Sequence, residues 1–293
     1  MSKLIFGCGY LGKRVAKRWR DAGQTVYVVT RSDAKAREFE QAGLFPIVAD
    51  VLRPESLAKL PVADSVLYSI GYDRAARGSR HVLYVDGLKA ALDALPKATG
   101  TLLYVSSTGV YGQSHDEWVD ELSPCEPLRE AGQACLAAEQ VLATHPLGRR
   151  AVVLRMAGLY GPERIPNGAA IRRGEPIGVA EHGYLNLIHV DDAADVVLAA
   201  ERHAQPPRTY VVSDGHPVER RAYYEELARL LEAPRPRFLA PTAESSASAR
   251  AESSKRIKNA RLIEELRVRP GYPSFREGLA AIVAAEGSAH RLE

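Results

Sequence analysis

Lys3-Leu4-Ile5-Phe6-Gly7-Cys8-Gly9-Tyr10-Leu11-Gly12 is an apolar strand that runs directly into a GxGxxG turn and then a helix. Each glycine answers a separate steric demand. Gly7 lets the chain turn sharply, Gly9 removes the side chain that would block a pyrophosphate, and Gly12 lets the helix lie close on the strand. From about Tyr10 and Leu11 the helix start offers backbone N–H groups and a positive dipole end to phosphates. A glycine-rich turn alone is a weak signal. Here the preceding strand, an amphipathic helix over 10–22 and a strand over 25–30 complete a βαβ unit, so the stretch predicts a dinucleotide site.

Outward from this unit, strand-like and helix-like patterns alternate. Apolar runs flanked by turn residues predict strands over 3–6, 25–30, 45–49, 65–70, 101–106 and 151–155. Three- and four-residue apolar spacings predict helices over 10–22, 33–42, 81–95 and 133–143. Parallel strands need a crossover element to return the chain, so this alternation implies an α/β, doubly wound parallel sheet of Rossmann type. After Arg155 the pattern breaks into shorter segments rich in proline and glycine, as a ligand-binding loop at the carboxyl edge would. A strand over 185–190 and a helix over 191–202 are expected to rejoin the sheet, followed by a strand over 208–213 and helices over 219–231 and 274–285. The expected division is a dinucleotide-binding domain over 1–156, with 185–203 returning to it, and a small mixed C-terminal substrate lobe from 157–184 and 204–288. The Ser-, Ala- and Glu-rich segment 242–254 is the best linker candidate.

Composition narrows the class. With 293 residues, 46% hydrophobic, the chain can bury a large core, which excludes a disordered or fibrous protein. The 39 basic and 36 acidic residues are mixed along most of the chain, so nothing demands nucleic acid as a partner. The exception is a basic excess over 235–269, read as a solvated face. Cys8, Cys125 and Cys135 are odd in number and lack ligand-like spacing, which argues against a disulfide framework or a zinc site. No signal peptide precedes the first strand and no apolar run reaches the roughly 18 residues of a membrane span, so a soluble, cytoplasmic protein is expected.

The end of the second strand selects the nucleotide. An acidic residue there grips a ribose 2′-hydroxyl, whereas an arginine accommodates a 2′-phosphate. The strand ends Val29-Thr30-Arg31-Ser32, with no carboxylate, a planar guanidinium and two hydroxyls. NADP(H) is therefore expected over NAD(H), the alternative being that Arg31 merely caps the helix region or stacks on adenine. Asp50-Val51, ending the third strand, stands where a carboxylate would receive the adenine amino group or simply form a turn.

Several further segments carry a family resemblance: Tyr104-Val105-Ser106-Ser107-Thr108-Gly109-Val110-Tyr111-Gly112, Leu154-Arg155-Met156-Ala157-Gly158-Leu159-Tyr160-Gly161-Pro162, and Leu187-Ile188-His189-Val190-Asp191-Asp192-Ala193. With the glycine turn, they make the chain resemble the extended short-chain dehydrogenase/reductases, also called the NAD-dependent epimerase/dehydratase family. The resemblance implies a cleft between dinucleotide domain and lobe, small hydroxylated or nucleotide-sugar-like substrates, and a homodimer. It also implies a catalytic Ser/Thr, matched by Ser107 with Thr108 as its neighbour, and a Tyr-x-x-x-Lys pair. A lysine ammonium is needed to lower the tyrosine pKa from about 10 toward a useful value. Aligning Leu136-Ala137-Ala138-Glu139-Gln140 with the family helix puts Ala131 at the tyrosine and Cys135 at the lysine. No change of register restores the pair, since there is no tyrosine between Gly112 and Leu159 and no lysine between Lys97 and Lys255.

Candidate substrate contacts are Tyr72 and Arg74, on the loop after the fourth strand, and Tyr160, after the sixth; His189 reads as structural. Two functions stay open. One is an NADP-dependent enzyme with a non-standard proton relay; the other is a catalytically silent NAD(P)-binding regulatory or structural protein.

Overall fold

The apolar runs pair side by side in a computed structural model that describes residues 1–72, 78–240 and 254–289. Arg74, and the linker candidate except Ser254, lie outside the described residues. The strands are β1 (Ser2–Phe6), β2 (Thr25–Thr30), β3 (Phe45–Val48), β4 (Ser65–Tyr68), β5 (Thr101–Ser107), β6 (Glu117–Val119), β7 (Ala151–Met156), β8 (Gly158–Tyr160), β9 (Tyr184–Leu185), β10 (Leu187–His189), β11 (Arg208–Val212), β12 (Val218–Glu219) and β13 (Lys255–Ile257). Seven of them form one sheet in the order β11-β7-β5-β4-β1-β2-β3, with parallel pairing throughout. The order reverses at β1, flanked by β2 and β4, and this switch point opens a crevice at the strand ends.

Alternate residues of the strands feed two cores. Ile5 and Leu67 pack with Val15 and Trp19 of α1 (Gly12–Asp21) and Val196 and Val197 of the helix Val190–His203. Leu4, Phe6 and Val66 pack on the opposite face with Leu88 and Leu92 of the helix Gly87–Ala94, and with Ala138 and Leu142 of the helix Glu130–Thr144. The helix expected over 81–95 begins with a π-helical turn at Val82–Asp86, which widens it on the side facing the crevice. Beneath the sheet's first strand, Lys3 Nζ meets Glu201 Oε1 at 2.5 Å, and Glu201 also accepts from Ser65 Oγ at 2.5 Å and Trp19 Nε1 at 2.8 Å.

Two expectations need correction. The segment over 185–190 does not rejoin the main sheet: β10 pairs in parallel with β8 in a separate two-stranded ribbon. The seventh strand is β11, expected within the lobe, which pairs with β7 because Tyr210, Val211 and Val212 are buried on both faces. The lobe has its own core, in which Tyr160, Ile171, Tyr223, Leu227, Phe275 and Leu279 meet. Two more ribbons, β9 with β12 and β6 with β13, tie late segments of the chain to earlier ones.

Candidate active site

A cleft of about 660 Å³ opens over the switch point, between the ends of β1, β2, β4, β5 and β7. Its floor is the glycine turn. Gly7 has φ +86°, and a Cβ there would lie 2.6 Å from backbone atoms of Ser69 and Ile70, so only glycine lets β1 and β4 end this close together. Gly12 brings α1 equally near, its Cβ position being 2.6 Å from the Gly7 carbonyl oxygen. Gly9 differs, since a Cβ there would meet nothing within 4 Å. That open volume lies beside the start of α1, where a pyrophosphate needs room.

Of the expected cofactor residues, Gly7, Gly9, Tyr10, Leu11, Arg31, Asp50 and Val51 line this cleft, whereas Gly12 and Ser32 do not. Tyr10 donates its hydroxyl to the Pro162 carbonyl at 2.9 Å and has the guanidinium groups of Arg14 and Arg164 over its ring. It therefore joins the glycine turn to the loop after β8. Arg31 is exposed at the rim, and Ser32 caps the following helix by accepting the Lys35 N–H at 3.3 Å. Capping thus falls to Ser32, leaving the Arg31 side chain to the cleft. Asp50 accepts the Leu52 N–H at 3.0 Å, so one carboxylate oxygen serves a turn.

Ser107 ends β5 and lines both this cleft and a second, adjoining pocket of about 470 Å³. Its Oγ accepts the Gly109 N–H at 3.0 Å, so its own proton remains for another acceptor. Thr108 faces the second pocket only. Behind them a buried network fixes the helix Glu130–Thr144 to the sheet. Glu139 bonds Arg155 Nη2 at 2.7 Å and Ser106 Oγ at 2.5 Å, and Arg155 Nη1 donates to the Tyr111 hydroxyl at 2.8 Å. This anchor sets Cys135, one turn earlier on the same helix, into the cofactor cleft. Burial pushes its thiol up to about 11, so it is neutral near pH 7 and supplies no charge.

The candidate substrate contacts separate. Tyr72 lines the cleft, with its hydroxyl on the Gly78 carbonyl at 3.2 Å and Arg80 stacked 4.3 Å from its ring. Tyr160 does not reach the cleft: its ring is fully buried in the lobe core, and its hydroxyl bonds the Ser274 carbonyl at 3.4 Å. A tyrosine in a Tyr-Gly-Pro turn reads as loop-exposed, yet here β8 carries it inward. His189 is buried against Tyr160 and Tyr272 and caps the next helix through Asp191 N–H.

Sequence reasoning missed Lys35, Arg164 and Tyr84 in the first cleft, and Arg129, Arg220 and Lys255 in the second. Lys255 belongs to the basic stretch that its sequence marks as a solvated face, but it is 7% exposed, with its amine on the Tyr111 carbonyl. A signal was present: Lys255 and Ile257 alternate with Arg256 as a strand with one buried side, and Ile257 is fully buried. Among the described residues no helix is long and apolar enough to cross a membrane.

A parallel α/β sheet with a glycine turn at its switch point, an open space for a pyrophosphate and a lobe over the strand ends defines a nicotinamide-dinucleotide-binding protein of Rossmann type. The sequence profile of the NAD dependent epimerase/dehydratase family matches residues 4–213. The chain therefore belongs to the NAD dependent epimerase/dehydratase family. It is similar to Protein YeeZ of Escherichia coli (strain K12), with 29% identity over 244 residues, covering 80% of this chain and 85% of that protein. A functionally unknown conserved protein from Silicibacter pomeroyi superposes with a TM-score of 0.78 and 26% identity over 97% of this chain and 98% of that one. The fold is also shared with UDP-glucose 4-epimerase from Thermotoga maritima, solved with UDP-glucose, at a TM-score of 0.81 and 19% identity over 100% of both chains.

Proposed function

We propose that this family member uses NADP(H) and acts on a small hydroxylated substrate, nucleotide sugars included, through a proton relay other than the family's Tyr-x-x-x-Lys pair. A bound nicotinamide ring would exchange a hydride with a substrate carbon. The observation that carries the reading is Ser107, whose hydroxyl borders the cofactor cleft and the second pocket together. A group at that junction can hydrogen-bond an oxygen on the carbon undergoing hydride exchange. The NADP preference is supported by Arg31 and Lys35 at the rim beside the end of β2, with no carboxylate on Thr30, Arg31 or Ser32. Tyr84 is the favoured partner of Ser107 in the relay, since it lines the same cleft, burial raises its pKa and keeps it protonated, and its hydroxyl accepts the Tyr72 N–H at 3.1 Å, which leaves its own proton to donate.

A second reading, a cofactor-binding protein without turnover, is favoured by Ala131 and Cys135 at the positions of the missing pair. Stoichiometric protein and NADPH incubated with a panel of carbonyl compounds and nucleotide sugars separate the two. Consumption of NADPH that falls at least 100-fold in Ser107→Ala, and drops in Tyr84→Phe, supports the enzyme. Tight binding with no consumption across the panel supports the silent protein.

A further inference from the structure

The turn that follows β8 crosses to the glycine turn. Gly161-Pro162-Glu163-Arg164 closes on itself, with the Arg164 N–H donating to the Gly161 carbonyl at 3.0 Å and the Gly161 N–H to the Arg164 carbonyl at 3.3 Å. Proline in second place and a left-handed third residue, Glu163 at φ +64°, suit a type II turn. The turn is pressed against Tyr10. A Cβ on Gly161 would stand 2.6 Å from the Tyr10 hydroxyl oxygen and 2.7 Å from Val190 Cγ1, and that hydroxyl donates to the Pro162 carbonyl at 2.9 Å. Glycine at 161 thus lets the loop come within hydrogen-bond reach of the cofactor turn.

This packing brings a cation to the cleft. The Arg164 guanidinium lies 5.3 Å from the centre of the Tyr10 ring, and Arg164 lines the cleft. Arg14 is over the same ring at 4.5 Å but does not line the cleft; its Nη1 donates to the Tyr10 carbonyl at 2.9 Å and its Nε pairs with Asp191 Oδ1 at 3.3 Å. Among the described residues the Arg164 guanidinium has neither a hydrogen bond nor an ion pair. Exposed arginines need none, yet this one is held by the Tyr10 ring and by its own closed turn. The helix start beside it is equally open to a ligand. The first bonds of α1 run from the Lys13 N–H to the Gly9 carbonyl and from those of Arg14 and Val15 to the Leu11 carbonyl, while the N–H groups of Tyr10 and Leu11 have no partner among the described residues.

We infer that Arg164 is a ligand of the cofactor's pyrophosphate, which it clasps from the loop side against the N–H groups of Tyr10 and Leu11, with the Tyr10 hydroxyl as the positioning group of that turn. The inference rests on the binding of a nicotinamide dinucleotide, but neither on the choice between NADP and NAD nor on the role of Ser107. Charge complementarity supports it. The described lining of the cleft carries three cations, Arg31, Lys35 and Arg164, against one carboxylate, Asp50. Arg31 and Lys35 belong to the end of β2 and the helix after it, where a 2′-phosphate would lie. Arg164 comes from the other side of the glycine turn, so the two sets of cations meet different phosphates. A planar guanidinium gives paired, charge-assisted hydrogen bonds to phosphate oxygens, adding to the neutral N–H donors of the helix start.

The test is calorimetric titration of the full chain with NADPH, NADH and ADP-ribose, in the unaltered protein, Arg164→Gln, Tyr10→Phe and the double variant, with unfolding midpoints recorded for each. Arg164→Gln, at an exposed position, should keep its midpoint and weaken all three ligands by the same factor, about tenfold or more, so that the ratio of NADPH to NADH affinity stays as it was. The loss should shrink as salt is raised, and 2′-AMP, which lacks the pyrophosphate, should compete equally well in both proteins. Tyr10→Phe should weaken binding about fivefold and add nothing to Arg164→Gln, because the hydroxyl acts through the arginine. Unchanged affinities in Arg164→Gln overturn the inference, and so does a loss confined to NADPH, which would move the arginine to the 2′-phosphate. Additive losses in the double variant overturn the positioning role of Tyr10. Failure of the underlying reading looks different: no nucleotide then binds the unaltered protein, and the inference falls with it.

Discussion

Arg31 directly follows β2 at the rim of the cofactor cleft, and Ser32 relieves it of capping the next helix. A planar guanidinium at that place favours a 2′-phosphate, so Arg31→Ala should weaken NADPH about tenfold or more while leaving NADH nearly unchanged. A fluorescence titration measures both; equal dissociation constants for the two nucleotides in the unaltered protein would contradict the preference. Asp214 makes a different kind of prediction. One carboxylate oxygen accepts the His216 N–H at 2.9 Å, while the other has no hydrogen-bond partner among the described residues. Burial pushes its pKa from 3.8 up to about 7. Above about pH 4 the unfolded carboxyl is ionised, but the folded one keeps its proton until about pH 7, so the folded state binds the extra proton and this group's contribution to stability declines as pH rises between those values. The decline approaches ~1.4 kcal/mol per pH unit, and Asp214→Asn should remove it from the pH dependence of urea unfolding. An unaltered pH profile in that variant would show that Asp214 titrates normally.

At the scale of elements, buried ion pairs fasten helices to the sheet. Glu201, on the helix Val190–His203, ties together Lys3 of β1, Ser65 of β4 and Trp19 of α1. Glu201→Gln keeps the shape but leaves the Lys3 ammonium buried without its counter-charge, and should cost about 3 kcal/mol in denaturant unfolding. A loss below about 0.5 kcal/mol would mean the pair is no more than a solvated surface contact. The elements themselves were largely legible in the sequence. Strands such as Leu4-Ile5-Phe6 and Leu102-Leu103 announce themselves because both faces are buried, and the glycine turn because its spacing is tied to local backbone sterics. What escaped depended on pairing partners distant along the chain. Whether 187–189 or 208–212 completes the sheet is decided by which edge of β7 and β8 each one meets. Tyr160 looked exposed because its packing on Phe275 and Leu279 comes from more than a hundred residues later. Lys255 looked like one charge of a solvated run because the Tyr111 carbonyl that receives it lies 144 residues earlier.

Across the whole molecule, the glycine turn, the strand ends and the lobe enclose two adjoining cavities that share Ser107, Met156, Ala157 and Gly158. The first is the one proposed for the nicotinamide dinucleotide. The proposed function depends on the first being filled, and Gly9 allows that to be tested without disturbing the fold. Its φ is not in the left-handed region, and a Cβ there would meet no protein atom within 4 Å, so Gly9→Asp places a carboxylate only into the space meant for the pyrophosphate. The most direct measurement is calorimetric titration of NADPH and NADH into the protein and into Gly9→Asp, with unfolding midpoints recorded for both. Saturable one-to-one binding, tighter for NADPH, that is lost in a variant of nearly unchanged midpoint is the predicted result. No binding of either nucleotide, or binding that survives the substitution, would contradict it.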